Sequence, residues 1–230
     1  MTTRFIKRKK EASNIYSYYF IKPTNFKYIA GQYLELSLNH QNPDKRGIKR
    51  WYTLSSSPEE EYLSITTKHT KDGSSFKKAL FDIKKDQQIK ISECYGDFVL
   101  PKDKHKHLVF LVGGIGITPV LSILKTLKMS NDQGYIIDII YLLSNLDELV
   151  DLSPYHDFIN KLTIIDTSKL NSLYSSKELI KYLNDHHILN YLIYLSGPEK
   201  MIDTLTNDLI ANKIDKNKII SDYFEGYNQV

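Results

Sequence analysis

The chain has 230 residues, of which 41% are hydrophobic and 25% charged, with a formal net charge of +4, a profile that suits a globular protein with room for two cores. No apolar run approaches the roughly 20 residues needed to span a bilayer, the basic start "MTTRFIKRKKEASN" lacks the apolar stretch of a secretory signal, and no basic stripe with interleaved aromatics marks a nucleic-acid surface. One cysteine, Cys94, excludes an internal disulfide and any cysteine-ligated cluster or zinc site within the chain, so a cytoplasmic protein with no metal, no membrane insertion and no nucleic-acid partner is expected.

From the amino end, "TRFIKRKK", "IYSYYFIK", "QYLELSL" and "RWYTLSS" are short, rich in β-branched and aromatic residues, and often alternate. "YLSITTK" and "QIKISEC" keep the same rhythm, and turns such as "KPTN" and "NPDKRG" separate the runs. Between the fifth and sixth, "GSSFKKALFDI" sets Phe76, Leu80 and Ile83 at helical spacing, with Ser74 or Ser75 placed to cap. Six strands around one short helix predict a small antiparallel β-barrel. Within it, "RWYTLSSSP" (Arg50–Pro58) puts an arginine in an aromatic strand and follows it with three serines. Alternation sends Arg50 and Tyr52 one way and Trp51 and Thr53 the other. The run reads either as a plain strand leaving through a polar turn or as a surface for a flat ring and a phosphate.

After the polar linker "PKDKHKH", residues 101–107, the rhythm changes, which divides the chain into domains 1–103 and 104–230. "HLVFLV", "YIIDIIYLL", "LTIIDT", "YLIYLS" and "KIISDYF" read as strands. They alternate with the helical "TPVLSILKTLK", "SSKELIKYLND" (Ser175 and Glu178 at capping-box spacing) and "PEKMIDTLTNDLIANK". Strands alternating with helices predict a five-stranded parallel sheet in an α/β domain. "LVFLVGGIGITP" places Gly113, Gly114 and Gly116 between the first of these strands and its helix. There the backbone can approach a ligand closely and a helix start favours an anion. The pattern is neither G-x-G-x-x-G nor a P-loop. A tight packing turn is the plain alternative, but its place at the carboxyl end of a strand favours a nucleotide pyrophosphate. "LSGPEKM" (Leu195–Met201) puts Ser196 and Gly197 on the same rim, with Pro198 suited to a helix start.

The order "RWYTLSS … GDFVLP … GGIGITP … SGPEKM … DYFEGY" resembles the ferredoxin–NADP reductase superfamily, in particular its compact bacterial members without an iron–sulfur domain, over nearly the whole chain. The resemblance implies FAD on the barrel and NADH (or NADPH) on the α/β domain. It also implies hydride transfer from nicotinamide to flavin and release of electrons to an external acceptor. Arg50, Tyr52, Thr53 and Ser56 match the family's R-x-Y-[ST]-x-x-S signature. By resemblance Arg50 contacts the flavin pyrophosphate, Tyr52 stacks on the isoalloxazine and Thr53 hydrogen-bonds near N5; on strand alternation, either the ligand wraps the strand end or a bulge redirects Thr53. Lys68, Gly73, Ser74 and Ser75 match a second phosphate-binding region, which favours FAD over FMN, and "GDFVL" the barrel-closing strand. Gly114, Gly116, Thr118 and Gly197 fall at the nicotinamide nucleotide's site. Ser196 stands where many relatives carry cysteine, a departure that implies a differently tuned hydride step. Asp222 and Phe224, with Tyr227, match the tail that approaches the flavin, Asp222 as a proton relay or a tuner of flavin potential.

Asp147, Glu148 and Asp151 follow the second parallel strand without a lysine or arginine, which disfavours a 2′-phosphate and favours NADH. Candidate acceptors are a small redox protein (ferredoxin, flavodoxin or a cytochrome) or a small molecule such as a ferric chelate or free flavin. The alternatives are an electron-transfer subunit of a larger oxidoreductase, or a flavin- or nucleotide-binding sensor without turnover.

Overall fold

The six aromatic and β-branched runs of the first hundred residues are strands in the computed structural model, which describes residues 1–169 and 176–224. They are β1 (Thr2–Ala12), β2 (Ile15–Ile21), β3 (Tyr33–Ser37), β4 (Lys49–Thr53), β5 (Tyr62–Lys68) and β6 (Gln88–Tyr95), in the sheet order β4-β3-β6-β1-β2-β5 with antiparallel neighbours. Their alternating apolar residues fill the interior: Tyr18, Phe20, Leu34, Leu36, Leu63 and Ile65 belong to one buried cluster. Helix α1 (Ser75–Phe81) adds Phe76 and Leu80, four residues apart and both fully buried. Ser74 is its cap, accepting from the Lys77 amide at 3.3 Å, so Ser75 is the first helical residue.

The two outer strands, β4 and β5, meet only through an isolated antiparallel bridge, Leu54 to Ile65. The expected closing strand "GDFVL" is not a strand: β6 ends at Tyr95, and Gly96 turns away with φ +104°. A Cβ on Gly96 would stand 2.8 Å from the Tyr33 ring, so that ring packs against the turn instead of a sixth-strand extension. Phe98 is buried.

The second half forms β7 (His107–Gly113), α2 (Thr118–Ser130), β8 (Ile136–Leu143), β9 (Lys161–Asp166), α3 (Ser176–Asp185), β10 (Tyr191–Pro198), α4 (Glu199–Ala211) and β11 (Ile219–Phe224). The five strands are all parallel, in the order β11-β10-β7-β8-β9. β7 is buried without alternation from Leu108 to Val112, as a strand covered on both faces must be. On one face Val109, Leu111, Ile140, Ile193 and Leu195 pack with Leu179 and Leu183 of α3 and with Ile202, Leu205 and Leu209 of α4. At the amino ends of the strands, the buried Asp138 carboxylate gathers three partners. His107 Nε2 lies at 2.7 Å, the Tyr182 hydroxyl donates at 2.9 Å, and Asn160 Nδ2 donates at 2.8 Å. A carboxylate removed from water needs such a set.

The chain divides into two compact units, Met1–Val99 with Thr118–Thr126, and Leu100–Ile117 with Leu127–Val230. The division at 103/104 read from the sequence assigns the Thr118–Thr126 segment to the second domain. Nineteen lysines and arginines face eleven aspartates and glutamates in the first unit, against twelve and sixteen in the second. Among the described residues no helix is long and apolar enough to cross a membrane, and no group of three or more His, Cys, Asp and Glu could hold a metal ion.

Candidate functional site

In the first unit the pairing of β3 with β4 runs without a shift, Leu36 opposite Arg50, Leu34 opposite Tyr52 and Tyr33 opposite Thr53. No bulge redirects Thr53. Arg50 and Tyr52 therefore share a face with buried leucines, and Tyr52 lies in the buried cluster, its ring 6.0 Å from that of Phe76. Trp51 is on the opposite face, half exposed and edge-on to Tyr33 and Tyr95. Thr53, on the same face as Trp51, is buried.

Arg50 is held by the loop that leads into its own strand. Nη1 donates to the carbonyls of Arg46 (2.9 Å), Gly47 (3.0 Å) and Lys49 (2.6 Å), and Nη2 to Asp44 Oδ1 (2.7 Å). Its buried Nε has no partner among the described residues. Asp44 Oδ2 also accepts from the Ser75 amide at 3.2 Å, and the Asp44 amide donates to Ser75 Oγ at 2.8 Å. The structure thus brings Arg50 and the Gly73–Ser75 turn to one place, as two parts of one phosphate site would require, with a carboxylate between them. Gly73 is fixed by its contact with Thr70, where a Cβ would come within 2.9 Å of the carbonyl oxygen. Lys68 ends β5, partly exposed, its backbone opposite Ile15. Asp44 was legible only as a turn residue of "NPDKRG".

The three serines have work inside the barrel: Ser55, Ser56 and Ser57 are all fully buried. Thr66 donates to Ser55 at 2.8 Å, the Ser17 and Thr66 hydroxyls lie 2.7 Å apart, and those of Ser55 and Ser64 3.0 Å. The Ser55 amide also donates to the Ser64 carbonyl at 2.8 Å. These contacts draw the end of β4 onto β5 where the backbone ladder is reduced to one bridge. Ser56 Oγ is occupied by the Tyr28 hydroxyl (2.8 Å) and by the Ser64 amide (2.9 Å). On α2, Ser122 donates to the Ser56 carbonyl at 2.5 Å and Thr126 to Ser57 Oγ at 3.0 Å, within the same unit. Tyr28, Ser122 and Thr126 gave no signal in the sequence, because their partners are distant along the chain. Thr118, which begins α2, is buried.

In the second unit the two glycine turns touch. A Cβ on Gly116 would stand 2.2 Å from the Ser196 carbonyl oxygen, and one on Gly113 2.9 Å from Met201 Sδ. These two glycines serve packing, the plainer of the two readings. Gly114 differs: it has φ +52° and nothing within 4 Å of a Cβ position, so it alone of the three faces open space. Ser196 lies opposite Val112 on one side and Asp222 on the other. Its hydroxyl is fully buried and has no partner among the described residues, the kind of orphan that a bound ligand satisfies. Gly197 continues the turn with φ +157°. Asp222 is half-buried in β11, and Phe224 pairs through its backbone with Pro198. The Phe224 side chain, Tyr227 and the capping Ser175 lie outside the described residues. Beyond β8, Asp147 and Asp151 are exposed, but Glu148 is buried and is not a solvated charge.

No family model matches the chain. Its fold matches ferredoxin–NADP+ reductase from Plasmodium falciparum, solved with 2′P-AMP, at TM-score 0.78 and 22% identity, over 97% of this chain and 95% of that one. It also matches the flavohem-like FAD/NAD-binding domain of nitric oxide dioxygenase from Vibrio cholerae, at TM-score 0.72 and 18% identity, over 97% and 98%. The chain has the two-domain fold of ferredoxin–NADP+ reductase and of the flavohemoprotein FAD/NAD-binding domain. Among curated proteins the chain is 26% identical to flavohemoprotein A of Dictyostelium discoideum over 97% of its length. It is 35% identical to the flavohemoprotein of Bacillus subtilis over 52% of its length. It spans 60% of the first protein, and the match to the second covers 30% of that protein.

Proposed function

We propose that the chain is a flavin-dependent oxidoreductase that takes hydride from NAD(P)H onto FAD and passes electrons to an external acceptor. The FAD-binding part is residues 1–103 and the NAD(P)-binding part residues 104–230. The observation that carries the reading is the paired glycine turns of the second unit. There Gly116 packs on Ser196, leaving Gly114 open and the Ser196 hydroxyl unsatisfied at the carboxyl ends of β7 and β10. That is a donor set and a clearance suited to a dinucleotide.

In the first unit the unpartnered Arg50 Nε and the Ser75 amide fit the diphosphate of a flavin nucleotide, with a guanidinium suited to paired phosphate oxygens. When bound, FAD supplies the hydride acceptor and a route for releasing electrons singly. The chain's own residues bind and align. Arg50, Lys68 and the Gly73–Ser75 turn hold phosphates, and Tyr52 and Thr53 bound the ring. Gly114, Thr118 and Gly197 hold the nicotinamide nucleotide, and Gly116 keeps the turn seated on Ser196. Ser196 borders the nicotinamide, and Asp222 holds or moves a proton. Ser56 acts through position, pinning the end of β4. NADH is the preferred donor, since exposed Asp147 and Asp151 repel an added phosphate.

The acceptor is a small redox protein or a small molecule, and the protein works in the cytoplasm. The basic excess of the first unit favours an acidic partner there. A second reading, the electron-transfer part of a larger oxidoreductase, is favoured by the chain's spanning 60% of flavohemoprotein A. A visible spectrum of the purified protein followed by anaerobic titration with NADH and with NADPH tests the proposal. Flavin absorbance that bleaches at lower NADH than NADPH is expected; a protein that takes up no FAD overturns it. Ferricyanide reduction by the isolated chain, with physiological acceptors idle until a partner is added, favours the second reading.

A further inference from the structure

Asp44 places an anion where the flavin reading needs phosphates. Its carboxylate bridges Arg50 Nη2 (2.7 Å), the Arg46 amide (2.9 Å) and the Ser75 amide (3.2 Å). Burial raises its pKa, but the Arg46 amide, the Arg50 guanidinium and Ser75 outweigh that and hold it below the usual carboxylate range, so it is charged at neutral pH. Nη2 and Nε present their N–H groups along one edge of the guanidinium, the edge that grips two oxygens side by side. Asp44 takes the Nη2 half, and the Nε half is buried and unused.

The loop of residues 38–48 is anchored at its base, where Leu38 is buried in the barrel core and its amide donates to the Ile48 carbonyl at 3.0 Å. Its outer part, residues 41–47, is strapped in this position by few contacts. His40 Nδ1 lies 2.8 Å from the Leu38 carbonyl and Nε2 3.0 Å from Ser75 Oγ, and the Gly47 amide donates to the Asp44 carbonyl at 2.8 Å. Asn42 and Gly47 both have left-handed backbone, with φ +49° and +67°. Around them Gln41, Asn42, Pro43, Lys45 and Arg46 are exposed, and the barrel core holds the loop at its base, through buried Leu38 and the edge-on contact of the His40 ring with Phe76.

We propose that Asp44 is a resident ligand of Arg50, which the phosphates of the flavin displace, releasing the 41–47 strap as they bind. The proposal rests on the flavin reading above. A diphosphate and this carboxylate cannot share the Nη2–Nε edge without two anions in contact, so each binding event trades one for the other. Flavin affinity is therefore set partly by a competitor within the chain.

The test uses flavin-stripped protein titrated with FAD and, separately, with riboflavin, for wild type and Asp44→Asn. The variant is expected to bind FAD about tenfold more tightly, with riboflavin, which has no phosphate, unchanged. Equal or weaker FAD binding overturns the proposal, the weaker result making Asp44 a residue that aims Arg50. A measurement on the wild type needs no variant: FAD is expected to speed tryptic cleavage after Lys45 and Arg46, and riboflavin not. Protection or no change on adding FAD overturns the release of the strap. If FAD binds neither protein, the flavin reading fails and this proposal with it. If FAD binds both alike, only the proposal fails.

Discussion

Gly114 and Gly116 are two residues apart in one turn, and substitution separates what each does. A methyl group on Gly116 meets the Ser196 carbonyl oxygen at 2.2 Å, closer than any real contact, so β10 or the turn must move. Forced shifts of this kind cost about 1–3 kcal/mol. Gly114 offers open space but φ +52°, and holding alanine there costs about 1–2 kcal/mol of backbone strain with no collision. Urea unfolding is expected to rank Gly116→Ala below Gly114→Ala and both below wild type. NADH affinity in Gly114→Ala is expected to fall although the sheet is intact, because its methyl enters the proposed phosphate cleft. Unaltered NADH binding in that variant would remove Gly114 from the site.

The seam between β4 and β5 shows the same logic at the level of an element. One bridge, Leu54 to Ile65, joins strands whose other neighbours are held by full ladders, and buried hydroxyls of Ser17, Ser55, Ser64 and Thr66 supply the remaining contacts. Ser55→Ala leaves Thr66 and Ser64 to find other partners in a site with no water access. A loss of about 1–3 kcal/mol in chemical unfolding is expected, the cost of unsatisfied buried polar groups. A neutral result would mean that the backbone bridge and apolar packing hold the seam without the Ser55 hydroxyl. The strands and helices themselves were legible, since period-2 alternation in "QYLELSL" and helical spacing in "SSFKKAL" are local signals. The seam was not: Ser17 and Thr66 are 49 residues apart, and no short window shows that they meet. "GDFVL" misled for a related reason. Its β-prone residues are outweighed by Gly96 and the Tyr33 ring. The candidate site was half legible. The motifs located Arg50, the Ser75 turn and the glycine turns, but the carboxylate placed among the first two carries no pattern of its own.

At the scale of the whole molecule, aromatic burial ties stability to alkaline pH. Burial pushes the Tyr18 phenol up to about 12, and the same cause raises Tyr28, Tyr141 and Tyr194. A raised folded-state pKa means that the native protein keeps a proton the unfolded chain gives up near pH 10. The stabilisation is complete below that pH and is lost as pH climbs toward the folded values. Each such tyrosine takes about 1.4 kcal/mol per pH unit once its unfolded form ionises. Urea midpoints are expected to match at pH 8 and 9 and to drop steeply between 10 and 11; a flat profile would mean these phenols reach solvent. Both units carry such residues, so neither escapes. The Asp138 knot has a different consequence. It fastens β7, β8 and the entry to β9 at their amino ends, with α3 tied in through Tyr182. The opposite rim is thereby free to change its loops by insertion or drift without re-indexing the strands beneath. A lineage can retool what it recognises at one end of this sheet while its alignment is kept by a clasp at the other.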